Sequence, residues 1–225
     1  MVNHYKMPLP ASYFFLYNIL MKNLPSTLPV FPLNGVIYFP KTNLPLNIFE
    51  QRYLNLVNDA YSGDKLMGMV QSKKESGSVY QVGCLGKISD YQKSKDGRIL
   101  INLTGISRFK ILEEISNDKL YREFKVDYKD FNEDNIETNN LIDTKPLMDS
   151  TKKFFKRNGL LLNWKEFEKL DQSQKINTLA MIAPITNEEK QKLLESISLK
   201  NKVETLGSII SFYLHETNFN NQTVQ

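Results

Sequence analysis

The stretch that most limits what this chain can fold into is Leu28-Pro29-Val30-Phe31-Pro32-Leu33. It continues through Phe39-Pro40 to Leu44-Pro45-Leu46-Asn47-Ile48-Phe49-Glu50-Gln51-Arg52-Tyr53. Proline fixes φ and has no N–H to give, so Pro29, Pro32, Pro40 and Pro45 are excluded from central strands and suit strand ends, edges and turns. Short apolar runs between such prolines predict two or three short strands pinned at their corners. At Glu50 the period changes. Phe49, Tyr53, Leu56, Val57, Ala60 and Tyr61 recur at helical spacing and predict one buried helix face. Glu50 falls in the first turn, where a carboxylate suits the helix dipole, and Gly63 stands where a helix stop is expected.

Downstream the strand pattern resumes. Strands are predicted over 66–71, 83–90, 98–103, 109–115 and 121–128. Asp96-Gly97 turns one hairpin and Asn117-Asp118 the next. Ile99, Ile101 and Leu103 alternate with Leu100 and Asn102, and Gly105 marks a bulge or bend. The segment 130–140 is polar and aperiodic, and everything after it reads helical. Asn163-x-x-Glu166 and Thr186-x-x-Glu189 have capping-box spacing. Pro184 ends a helix carrying Ile176, Leu179, Ala180 and Ala183. Val203, Leu206, Ile210, Tyr213 and Leu214 form the buried stripe of the last helix. The division is therefore a β-rich unit over 28–130 and a helical unit over 131–220, preceded by an extension over 1–27.

That extension holds an apolar run, 11–21, behind Lys6. Tyr17 and Asn18 interrupt it, no small-x-small cleavage site follows, and it falls short of the about 20 residues that cross a bilayer. Three readings stay open: a start at Met21 or a disordered extension, an ordered extra helix, and targeting. No other segment reads as a membrane span, and no membrane partner is expected.

At 225 residues the chain can bury roughly 70% of its unfolded surface and needs no staple. The single Cys84, between Val82-Gly83 and Leu85, reads as a small buried strand residue; its being alone suits a reducing, cytoplasmic setting. Net charge is +4, with the excess cations falling before Asp130. Gly63 and Gly68 have the spacing that opens a Walker A loop, but Met69-Val70 stands where Lys-Ser/Thr is required. Gly83-x-x-Gly86 lacks a third glycine and a following helix. His4 and His215 are far apart, and His215-Glu216 does not continue to a second histidine, so a zinc site and a histidine relay both lack partners. Neither catalytic residues, nor a cofactor, nor a metal site is expected.

The ordered motifs resemble the N-terminal substrate-binding domain of Lon proteases, and most of all the small stand-alone bacterial proteins built from that domain. Beside the proline-rich stretch they include Gly68-Met69-Val70-Gln71, Val82-Gly83-Cys84-Leu85-Gly86-Lys87-Ile88, Asp96-Gly97-Arg98 and Leu103-Thr104-Gly105-Ile106-Ser107-Arg108-Phe109-Lys110-Ile111. Leu179-Ala180-Met181-Ile182 with Pro184, and Glu189-Lys190-Gln191-Lys192-Leu193-Leu194-Glu195, follow in order. The resemblance implies an α+β fold: a PUA-like β pseudo-barrel with one helix, then a helical bundle. It implies a non-catalytic module that binds unfolded or extended protein segments, without the ATPase and Ser-Lys protease modules that follow this domain in full-length Lon. The expected partners are protein or peptide clients and a protease system.

Five residues are candidates for peptide contact: Glu50, Arg52, Tyr53, Arg108 and Phe109. Each has a plainer reading. Phe109 and Tyr53 suit the core, Arg108 suits an ion pair to Glu50, and Arg52 suits a bond to a neighbouring loop. The alternative function is RNA binding, since PUA-like sheets also serve RNA-binding proteins. It draws on the basic first part and on Lys152-Lys153-Phe154-Phe155-Lys156-Arg157, whose plainer reading is a solvated helix face. A small enzyme with an unrecognised site is the third class.

Overall fold

The structure, a computed structural model, describes residues 24–73, 77–135 and 142–220. The apolar run 11–21 and the alternative start at Met21 lie outside these residues. Six strands come first: β1 (Thr27–Leu33), β2 (Asn43–Ile48), β3 (Leu66–Gln71), β4 (Val82–Lys93), β5 (Ile99–Ile115) and β6 (Arg122–Asp127), with helix α1 (Gln51–Ser62) between β2 and β3. A 3₁₀ segment, Lys129–Asn135, leads to α2 (Lys145–Arg157), α3 (Trp164–Phe167), α4 (Gln172–Ile182), α5 (Asn187–Glu195) and α6 (Leu199–Asn220). The class is α+β, as expected.

The sheet order is β2-β5-β4-β3-β1-β6, and β6 returns to pair with β5. Five strands thus close a ring, and β2 lies outside it against the first third of β5. The long β5 makes this possible, because Ile99–Thr104 pairs with β2 and Lys110–Ile115 pairs with β6. Two strands expected on either side of Gly105 are in fact this one strand. The bend is present: Leu85 faces Ser107 while Gly86 faces Gly105, so Ile106 is bulged out.

The prolines depart from expectation in β1, which is paired on both sides. Its two pairings take different halves of the strand. Thr27–Val30 faces β6 and Val30–Leu33 faces β3. Pro29 and Pro32 therefore each sit where only one side is bonded, and a missing N–H is tolerated on the other. Pro45 behaves as expected, in the edge strand β2.

The α1 stripe is narrower than the periodicity suggests. Tyr53, Leu56, Val57 and Ala60 are buried. Glu50 is the N-cap with extended backbone rather than a first-turn residue, so Phe49 precedes the helix and lies off its buried face, 66% exposed. Tyr61 stays partly exposed, stacked on Tyr91 at 4.2 Å between ring centroids.

Two apolar clusters hold the fold. Leu28, Val30, Val70, Leu85, Phe109, Ile111, Phe124 and Val126 form one cluster, drawn from strands of the closed ring. The second runs without a break from α1 and the sheet into the helices, through Leu56, Met67, Phe39, Leu103, Phe155, Leu179 and Leu206. Thr186 forms a complete capping box with Glu189 at the start of α5. Asn163 accepts a bond from the Glu166 N–H, which is half of such a box. Thr186→Ala removes the acceptor for the Glu189 N–H and is expected to cost about 1 kcal/mol, a fall of roughly 2–4 °C in Tm by calorimetry.

Candidate functional site

The five candidate residues separate into two places. Arg108 and Phe109 lie inside. Phe109 is fully buried in the ring cluster. The Arg108 side chain is 2% exposed and pairs with Asp134, not Glu50. Its Nε and Nη2 donate to the Asp134 carboxylate at 2.8–3.1 Å, and its own backbone N–H donates to Asp134 Oδ2 at 2.8 Å. Nη1 donates to the carbonyls of Leu194, at 2.9 Å, and Ser196, at the C-terminal end of α5 where a cation is favoured. The guanidinium also lies 4.4 Å from the Phe131 ring centroid. One side chain thus ties a strand, the 3₁₀ segment and a helix end together, and in this position it offers nothing to a peptide.

The same junction is stitched elsewhere. Asn177 Nδ2 donates to the Pro40 carbonyl at 2.9 Å, and Gln191 Nε2 to the Val82 carbonyl at 3.1 Å. Through these bonds the helices are tied directly to the sheet. Cys84 is buried, and burial pushes its thiol well above the usual range, which fits the structural role expected of it.

Glu50, Arg52 and Tyr53 are brought together at the start of α1. Arg52 donates to Glu50 Oε2 through Nε at 3.0 Å and Nη2 at 2.8 Å, and stacks on Tyr53 with Cζ 4.5 Å from the ring centroid. Tyr53 is buried beneath, 4.0 Å from the Phe31 ring centroid, and burial raises its hydroxyl pKa. Arg52 and Glu50 are exposed, so the pair forms a charged ridge over an aromatic floor.

Beside this ridge lies a surface that sequence reading did not single out. Asn43, Pro45 and Asn47 face outward on β2, and Phe49 continues their alternation one residue past the strand end. Cross-strand partners of this row are Thr104, Asn102 and Leu100 on β5, then Asp90 and Gln92 on β4. Leu100 is 43% exposed. Pro45, Leu46, Asn47, Asp90, Gln92, Leu100, Ile101 and Asn102 line a shallow depression of about 350 Å³. The polar groups at its margin are mutually bonded: Thr104 Oγ1 to Asn43 Oδ1 at 2.9 Å, and Asn102 Nδ2 to Ser89 Oγ at 3.0 Å. The result is an outward stripe of Pro45, Leu100 and Phe49 framed by amides on a rigid sheet. The sequence held one signal for it: Leu100 is an apolar residue at an outward position of β5, between the buried Ile99 and Ile101.

Phe49 is the exposed ring beside the open sheet face. Tyr91, on β4, is taken up by α1 through its stack on Tyr61 and a 2.9 Å bond from its hydroxyl to Asn58 Oδ1. In Lys152–Arg157, Phe154 and Phe155 are buried and the four cations are exposed, the arrangement of a solvated helix face.

Comparison with known proteins gives a consistent picture. The family model described as the ATP-dependent protease La (LON) substrate-binding domain matches residues 27–211. The Lon protease of Syntrophus aciditrophicus is 27% identical over 210 residues, covering 85% of this chain and 26% of that protein. The Lon protease of Dictyoglomus thermophilum is 24% identical over 205 residues, 86% of this chain and 25% of that protein. The chain thus spans about a quarter of the length of these relatives. Among solved structures, the Lon N-terminal domain protein from Xanthomonas campestris superposes with a TM-score of 0.61 at 22% identity, covering 81% of this chain and 97% of that one. The N-terminal domain of Mycobacterium avium complex Lon protease gives 0.61 at 16% identity, covering 82% and 98%. At these identities the structural matches speak for the fold alone.

Proposed function

Because the chain belongs to the LON substrate-binding domain family, we propose that it is a recognition module for extended, apolar-bearing segments of other proteins, acting in a cytoplasmic proteolytic system and performing no chemistry itself. The observation that carries this reading is the outward stripe of Pro45, Leu100 and Phe49. Large apolar side chains held out of a packed core by a rigid sheet mark a surface that a partner covers. Asn47, Gln92 and Asn102 along the stripe supply donors and acceptors suited to a main chain lying over it. The Glu50–Arg52 ridge bounds it at one end and is the part of the predicted contact set that this reading retains. Pro45 leaves the free edge of β2 without one donor, so clients lie across the face rather than adding as a seventh strand.

The RNA reading fares less well. Sequence-tolerant RNA sheets present several aromatic rings for base stacking, whereas here Phe49 shares the face with Leu100, Pro45 and a row of amides.

Phe49→Ser combined with Leu100→Ser is expected to weaken binding of a permanently unfolded protein, such as reduced and carboxymethylated α-lactalbumin, by about tenfold or more. The fold should be unaffected, since both side chains are exposed. Fluorescence anisotropy reads the affinity. Equal affinity of variant and parent would remove the stripe from the binding surface, and no measurable affinity in the parent would overturn the recognition reading itself.

A further inference from the structure

The corner between α2 and α3 has features that client recognition on the sheet does not use. Residues 158–163 carry three consecutive leucines, Leu160, Leu161 and Leu162. Leu162 packs against the core, Leu160 is exposed, and Leu161 is fully exposed. Such a run on a soluble surface calls for a covering partner. The loop is also held in place. Gly159 takes φ +67°, the Leu160 N–H donates to the Phe155 carbonyl at 2.9 Å, and Asn163 caps α3. Leu161 is therefore displayed by a pinned turn.

The end of α2 that leads into this turn carries Lys152, Lys153, Lys156 and Arg157, all exposed, and Arg157 Nη1 also donates to the Leu214 carbonyl of α6 at 3.1 Å. The carboxylates of the adjacent segment are engaged by other lysines, Glu166 with Lys169 and Glu168 with Lys175. Asp149, one turn earlier on α2, is the remaining acidic neighbour in the sequence. Trp164 is half-buried against this face, with Lys152 Nζ 5.2 Å from its ring centroid and the Phe155 ring centroid 6.1 Å away. An exposed leucine turn, four cations on the helix end beside it and an amphipathic indole are the three elements of an interfacial anchor.

We propose that the α2–α3 corner binds an anionic lipid bilayer surface, with Leu160 and Leu161 below the headgroups and the four cations against their phosphates. Shape and charge together favour this occupant. A protein would have to offer a pocket matched to a protruding tip, whereas a bilayer accepts one anywhere, and the cations match negatively charged headgroups. The anchor lies on the surface and does not span: among the described residues no helix is long and apolar enough to cross a membrane. The expectation of no membrane partner rested on the lack of a span and could not see Leu161 displayed.

Each cation near a negative surface strengthens binding about fivefold, and each inserted leucine about tenfold or more. In co-sedimentation, the whole chain is expected to bind vesicles of equal phosphatidylcholine and phosphatidylglycerol in preference to phosphatidylcholine alone. Leu161→Ser should lower that binding about tenfold. Lys153→Glu with Lys156→Glu should abolish the preference, as should salt at about 0.5 M. Circular dichroism and melting should be unchanged, because all three side chains are exposed. Equal binding to both vesicle types, or none, overturns the proposal. So does an unchanged vesicle affinity in Leu161→Ser accompanied by weaker capture of an unfolded protein, which would make the corner a protein-docking surface.

Discussion

Arg108→Ala should lower the unfolding free energy by about 3–5 kcal/mol, against a total of about 5–15 kcal/mol for a domain of ordinary stability. The reason lies in what is left behind. The Asp134 side chain is 6% exposed and loses every side-chain bond it receives from Arg108, so that, among the described residues, the Arg108 N–H is the donor left to a buried carboxylate. The carbonyls of Leu194 and Ser196 lose their donor as well. Arg108→Lys should rescue little, because an ammonium cannot fork towards the carboxylate while also reaching the end of α5. Replacing both partners, Arg108→Met with Asp134→Leu, should be much milder than the sum of the single changes, since no charge is then stranded. Urea unfolding of the parent, Arg108→Ala, Arg108→Lys, the single Arg108→Met and Asp134→Leu changes and their double measures this. A loss under about 1 kcal/mol in Arg108→Ala would mean that the guanidinium is not the tie described above.

Gly83→Ala should cost the upper end of about 1–3 kcal/mol, or prevent folding outright. An added Cβ would stand 2.4 Å from the Met69 carbonyl oxygen, 2.6 Å from the Phe109 ring and 2.6 Å from Val70 Cγ1. The first belongs to the backbone of the neighbouring strand and the others to the ring cluster, so nothing nearby can give way cheaply. Gly207→Ala provides the contrast. This glycine lies in α6 with its nearest neighbour, Leu147 Cδ1, 4.0 Å from the Cβ position. There the change should stabilise by up to about 1 kcal/mol through helix propensity. The pair of melting curves should therefore move in opposite directions. An unchanged or raised melting temperature in Gly83→Ala would show that the Gly83 strand is looser than its contacts imply.

Which features could be read from the sequence follows from how local their causes are. The start of α5 was legible because Thr186 and Glu189 settle it within one turn, and β3 because its apolar run is continuous. The Asp96-Gly97 turn was legible for the same reason, with Gly97 at φ +88°. The family was legible because its motifs recur in order along nearly the whole chain. Closure of the ring was expected from that resemblance, not from any single strand. The partner of Arg108 was not legible, since Asp134 stands in a polar, aperiodic segment that gives no sign of burial. Nor was the pairing of β1, where two prolines argue against a central strand until its two halves are seen to bond different neighbours. The outward stripe needed the sheet register, which places Leu100 beside Asn47. The leucine corner needed a measure of exposure, for Leu160 to Leu162 read equally well as core.

The divided pairing of β1 also fixes when the ring can form. Thr27 pairs with Lys125, and Val30 with both Gly68 and Arg122. A strand near the beginning thus waits for the last one. On the ribosome, α1 and β3 to β5 emerge while one half of β1 still lacks its neighbour, and its apolar Leu28 has only part of its enclosure. Loop closure over that separation is slow compared with hairpin formation. The split strand that accommodates two prolines in the finished molecule is thus also the last seam to close, and until it does the nascent chain resembles the extended, apolar segments it is proposed to recognise.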